Sequence, residues 1–146
     1  MIGLKLGHKG RQVREVSAQI YINLLAKHLE DSKVVEAPSW SDLVKLACFN
    51  EMPPAAQNWW FVRVASVARQ VYLHPGTSVQ ALRNRYGDGQ RNGTSPNHHR
   101  QAAKKIIREA LQQLEKLGWV SCDATKGRAI TSKGQKALDA IAQQIA

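Results

Sequence analysis

Nine cations fall between Trp60 and Arg108: Arg63, Arg69, Arg83, Arg85, Arg91, Arg100, Lys104, Lys105 and Arg108. A single acid, Asp88, stands among them. Side chains of this kind bind anions. A planar guanidinium grips a phosphate through parallel hydrogen bonds, and an ammonium acts as a point charge. An ordinary solvated surface interleaves both signs, so a stretch without acids reads as a phosphate-binding surface. Lys126 and Arg128, in a turn further along, extend the set of candidate RNA-binding residues.

Helix polarity supplies a second argument. Lys104, Lys105 and Arg108 share one arc of about 100° in the first half of a helix predicted over 97–117. Cations near a helix start oppose the macrodipole by about 0.3–1 kcal/mol each when exposed. A sequence selected for stability alone would place Asp or Glu there. An anion docked at that start would meet free N–H groups, the dipole and the side chains together.

Bond-making chemistry has few candidates. With Asp88 the only acid between Glu51 and Glu109, that stretch has no paired carboxylates for general acid–base work. No G-x-S-x-G or P-loop occurs, and the Gly87, Gly89, Gly93 spacing follows a predicted helix and does not fit a dinucleotide fingerprint. Asp123 and Asp139 read as surface acids. Cys48 and Cys122 stand far apart without a partner motif, which points to free thiols in a reducing compartment. Together with His98 and His99 they lack the short paired spacing of structural zinc sites, and His8, His28 and His74 form no ligand pattern. The expectation is a protein with no catalytic residues, no metal, no cofactor and no small-molecule substrate.

Composition agrees with an anionic partner. The 146 residues carry 21 Lys+Arg against 11 Asp+Glu, a formal charge of +10, while 43% are hydrophobic. That length and apolar share suit one domain with a buried core. Self-repulsion on this scale is tolerated where a polyanion relieves it. The polyanion classes are nucleic acid, a membrane surface or an acidic protein. No apolar run approaches the roughly 20 residues of a membrane span, and the N-terminus lacks a signal-peptide core, so no membrane partner is expected.

The elements that position these cations follow from periodicity. Residues 1–14, with Lys5, Lys9, Arg11, Arg14 and no acid, read as a basic arm ahead of a single domain over 15–146. Ile20, Leu24, Leu25 and Leu29 recur at helical spacing after Ser17. Pro38-Ser39-Trp40 opens a short helix to Cys48. From Trp59 to Leu73 only Arg63, Ser66, Arg69 and Gln70 are polar, and they fall in one arc of about 120°. Such a segment is a central helix with others packed round it. Thr77 or Ser78 caps a shorter helix through Tyr86, and Gly87–Asn97 reads as a long loop. After the 97–117 helix, Trp119–Cys122 and Arg128–Ile130 form a hairpin, and Thr131 or Ser132 starts a last helix through Leu138 and Ile141. The fold class expected is mainly α, a winged-helix-like domain around a central apolar helix with one short β-hairpin.

Several runs carry a resemblance. Asn58-Trp59-Trp60-Phe61-Val62-Arg63-Val64-Ala65-Ser66-Val67-Ala68-Arg69-Gln70-Val71-Tyr72-Leu73 resembles the central-helix signature of the S-nineteen family of small-subunit ribosomal proteins in eukaryotes and archaea. Tyr86-Gly87, Gln90-Arg91-Asn92-Gly93, Leu114-Glu115-Lys116-Leu117-Gly118-Trp119-Val120 and Gly127-Arg128 with Thr131 and Gly134 match it in order, as does Leu138-Asp139. The likeness runs from about residue 15 onward. It implies a helical winged-helix-like fold in the head of the small subunit, contact with small-subunit rRNA and neighbouring ribosomal proteins, and a role in rRNA maturation. It implies a cytoplasmic protein that passes through the nucleolus during assembly in a eukaryotic cell. It also implies rRNA contacts at Arg63, Arg69, Arg91 and Arg108.

A winged-helix DNA-binding transcription factor is the alternative that the basic third helix and wing also suit. The long connection between the second and third helices opposes it, since a helix-turn-helix uses a turn of about 3–4 residues. A basic scaffold for acidic proteins is a weaker alternative.

Overall fold

The computed structural model describes residues 11–145. Helix α1 (Ala18–Asp31) buries Tyr21, Leu25, Ala26 and Leu29. Ile20, expected on that face, is 56% exposed. The buried stripe runs one residue later because Tyr21 fills the core and donates its hydroxyl to the Leu138 carbonyl at 3.2 Å. Ahead of α1, Val13 sits in a short 3-10 turn, fully buried. Most of the expected basic arm, residues 1–10, lies outside the described residues.

The helix expected from Trp40 to Cys48 is absent. Only a 3-10 turn forms at Ser41–Leu43, and the chain then runs extended so that Ala47 bridges Ala102. Short-range periodicity there loses to pairing with a distant segment.

Helix α2 (Trp59–Leu73) spans the whole apolar run and buries Trp59, Trp60, Val64, Ala65, Val67, Ala68, Val71 and Tyr72. It packs against α1 on one side and the fourth helix on another. Phe61, expected inside, is half-buried. Helix α3 (Val79–Arg85) starts at Ser78, whose hydroxyl accepts the Ala81 N–H at 3.1 Å.

The expected loop at Gly87–Asn97 is instead a second hairpin. Strands β1 (Asp88–Asn92) and β2 (Ser95–Arg100) pair antiparallel, with an irregularity between Gln90 and Asn92 and Gly93 at φ +65° in the turn. Every residue from Arg91 to Arg100 is exposed. A ribbon that buries neither face has no period-2 apolar signal to betray it.

Helix α4 (Lys104–Lys116) therefore starts later than the sequence suggests, since residues 97–100 belong to β2. The Ala102 N–H donates to the Arg83 carbonyl and the Ala103 N–H to the Leu46 carbonyl, each at 3.1 Å. Those bonds fix the point where the helix begins. Its apolar face, Ile106, Ile107, Ala110, Leu111 and Leu114, closes the core over α2.

Strands β3 (Val120–Asp123) and β4 (Gly127–Ile130) form the wing. Thr77 bridges Arg128 of β4, adding a one-residue third strand between α2 and α3. Helix α5 (Ser132–Gln143) is capped by Thr131, which accepts the Gly134 N–H at 3.1 Å. Gly134 is buried because the Trp119 backbone lies where a Cβ would stand. Asp139, read as a surface acid, accepts the Tyr72 hydroxyl at 2.8 Å and ties α5 to α2. The result is a mainly α, winged-helix-like fold whose α3–α4 connection carries an inserted ribbon.

Candidate nucleic-acid interface

The polar stripe of α2 faces the end of α3. Arg63 lies over the Tyr86 ring, its guanidinium carbon 4.4 Å from the centroid. The Tyr86 hydroxyl shares a 2.7 Å hydrogen bond with Ser66. Burial raises the Tyr86 pKa, and the Ser66 hydroxyl and the charges of Arg63, Arg85 and Arg69 oppose the rise. Burial likewise lowers the Arg63 pKa, against the pull of Tyr86. The charges of Arg63, Arg69 and Arg85 all act on this phenol, and none of the three has an ion-pair partner among the described residues. Arg69 Nε and Gln70 Oε1 are buried with no hydrogen-bond partner among the described residues.

The start of α4 forms a second group. Lys104 and Lys105 occupy its first two positions, not a middle turn, and Arg108 follows; all are exposed. Ala103 at the N-cap has no side-chain oxygen, so it leaves the first N–H groups open. Lys105 Nζ sits 4.8 Å from the Trp40 ring centroid, a cation–π contact that holds it over this end. On the ribbon, Arg91 is exposed near the tip. Arg100 donates from Nε to Gln90 Oε1 at 3.0 Å across the strands.

Two candidates are engaged structurally. Arg83 donates from Nε to the Ala102 carbonyl and from Nη1 to Gln80 Oε1, each at 3.1 Å, so it positions the entry to α4. Arg128 pairs with Glu115 at 2.8 Å, with both side chains largely covered. Lys126 stays exposed in the wing turn. The structure thus seats Arg63 over Tyr86, links Arg83 to the α4 start, and leaves Lys126 and Arg128 on the wing. Sequence reasoning passed over Lys45 and Phe49, which line a groove with Arg91. Their segment carries no charge run, so only the Ala47–Ala102 pairing reveals it.

No three His, Cys, Asp or Glu side chains converge as a metal site among the described residues, and no described helix is long and apolar enough to cross a membrane.

A small basic winged-helix domain with an acid-poor face is the class these features define. The profile of the family Ribosomal protein S19e matches residues 12–146, and the chain belongs to that family. It is 39% identical over 135 residues to the small ribosomal subunit protein eS19 of Oryza sativa subsp. japonica, covering 92% of each chain. It is 39% identical over 136 residues to the eS19 of Argopecten irradians, covering 93% of this chain and 94% of that one. With the eS19G of Ascaris suum the identity is 40% over 138 residues, at 94% and 93% coverage.

Proposed function

We propose that this protein is a structural constituent of the head of the small ribosomal subunit, bound to rRNA through its acid-poor face and needed for rRNA maturation and assembly. Neighbouring small-subunit proteins complete its surroundings. It works in the cytoplasm, with nucleolar passage during assembly in a eukaryotic cell. The observation that carries the reading is Arg63 seated over Tyr86 and Arg69 Nε buried without a partner, with no acid pairing either among the described residues. Internal pairing would have used a carboxylate; phosphate is the partner that this arrangement lacks. Arg91, Lys104, Lys105 and Arg108 extend the contact, Arg100 and Lys126 flank it, and Arg83 and Arg128 serve it chiefly by holding the scaffold.

The DNA-binding alternative has the fold in its favour and the α3–α4 connection against it. A polar ribbon stands where a helix-turn-helix has a tight turn, and it would obstruct simple docking of α4 in a major groove. Irregular RNA offers surfaces that accept such a projection.

The test pairs salt dependence with charge reversal. Each phosphate contact should add about 0.7–0.9 to the slope of log affinity against log salt, depending on whether the RNA is single- or double-stranded. Lys104→Glu with Lys105→Glu should leave melting close to that of the parent, the gain from carboxylates at a helix start offsetting the lost Lys105–Trp40 contact, and Arg108→Glu should leave it intact or slightly raised. The same variants should enter small subunits poorly. A flat salt response together with full incorporation would overturn the reading.

A further inference from the structure

The segment after the 3-10 turn and strand β1 enclose an open groove of about 650 Å³, a size typical of sites for small ligands, which span roughly 300–1,000 Å³. Phe49 lies in its wall, half-buried yet outside the cluster that forms the core. Met52 beside it is 76% exposed. An aromatic and a thioether held at the surface without core partners leave apolar faces for something flat. Lys45 and Arg91 bring cations to the same groove.

Its polar groups select among anionic ligands. Glu51 and Asp88 also line the groove, and two carboxylates would repel a bare phosphate. They suit the edge of a nucleobase, whose amino groups donate to carboxylate oxygens. Asp88 is held by the Gly89 N–H, which donates to Oδ1 at 2.7 Å and leaves its other oxygen to accept. Gln90 uses Oε1 to accept from Arg100, so its amide NH₂ remains to donate. Asn50 adds a second amide. Donors and acceptors around an apolar wall, with cations alongside for the flanking phosphates, match a base drawn out of its stack. A paired stem, convex and with its bases inside, cannot offer one.

We infer that this groove takes one unpaired nucleobase of the bound RNA, stacked on Phe49 and read at its edge by Asp88 and Gln90. The inference rests on the RNA-binding reading above and gives it a substrate class: a stem with a bulged or looped-out nucleotide, not a regular duplex.

The experiment uses the full chain and two RNA stems that differ by one unpaired nucleotide. The bulged stem should bind about tenfold more tightly. Phe49→Ala should remove that preference and leave affinity for the fully paired stem unchanged, while Phe49→Tyr should keep it. Cys48 lines the groove and is exposed, and Cys122 is exposed on the wing. The bulged stem should slow alkylation of Cys48 relative to Cys122, and the paired stem should not. Equal affinity for the two stems, or a Cys48 that stays equally reactive with both, overturns the pocket and leaves the RNA reading standing. Equal loss on both stems with Phe49→Ala overturns it too, because Phe49 then serves the general surface. Salt-dependent binding of neither stem overturns the RNA reading, and the pocket with it. A groove that protects Cys48 only when an apolar peptide is added is a protein-docking site, and that result also overturns the inference.

Discussion

The two hairpins share a secondary structure and little else. The wing is woven into the body: Val120 is buried, Thr77 pairs with Arg128, and Arg128 also holds Glu115 of α4. The ribbon of β1 and β2 buries almost nothing and is joined by strand hydrogen bonds and the Arg100–Gln90 contact. Arg128 on the wing is therefore a piece of scaffold, whereas Arg91 on the ribbon is exposed to a partner. Residue type and local charge are alike in the two places. What differs is whether a carboxylate or carbonyl of the body lies within reach.

Substitutions can break or sharpen that contrast. The largest effect is expected at Gly127, which sits at φ +79° with the Gly76 carbonyl 2.7 Å from where a Cβ would be. Gly127→Ala should cost roughly 2–4 kcal/mol, from a left-handed backbone plus a clash that must be relieved. Thermal denaturation checks it, and an unchanged Tm would mean that the wing is not woven in. Next comes Arg128→Met, which strands Glu115 partly covered. A loss of about 1–2 kcal/mol is expected with RNA affinity unaltered. If affinity fell and stability held, the wing would have to be counted as an RNA contact.

Smaller changes belong to the ribbon. Gly93 has φ +65° but open space around it, so Gly93→Ala should cost about 1 kcal/mol and only locally. Faster amide exchange in β1 and β2 with an unchanged global Tm is the expected signature. Smallest in stability is Arg91→Ala, which should stay within about 0.5 kcal/mol of the parent. Its effect should appear in RNA binding, as a salt slope reduced by roughly one contact. A variant that melts early would show that Arg91 braces the ribbon.

The same contrast explains what could be read from the chain alone. Trp59–Leu73 was legible to the residue because nearly every side of that helix is apolar and His74-Pro75-Gly76 stops it. The wing was legible because Gly118 and Gly127 punctuate its strands, both at positive φ. The ribbon was not, since an exposed strand leaves no hydrophobic alternation and its Gly and Asn content imitates a loop. The false helix at 40–48 yields to the pairing of Ala47 with Ala102, residues far apart in sequence. The early start assigned to α4 yields first to strand β2, which takes residues 97–100 for the ribbon. Among the site residues, the lack of nearby acids foretold that the α2 guanidiniums have no ion pair among the described residues. It could not foretell Glu115 beside Arg128, because only the packing of the wing on α4 makes them neighbours.

The contacts of α1 and of the residues ahead of it carry a consequence for synthesis. Tyr21 gives its hydroxyl to Leu138, and Arg11 Nη1 donates to the Ile145 carbonyl at 2.8 Å. Both acceptors lie beyond α4 in the chain, and segments leave the ribosomal tunnel in order of translation. While α2, α3 and α4 collapse on one another, α1 has a partner in α2 but bare apolar surface where α5 will lie. That surface is hidden only when α5 arrives, so a nascent chain stalled before residue 132 should recruit chaperones that a chain carrying α5 does not need.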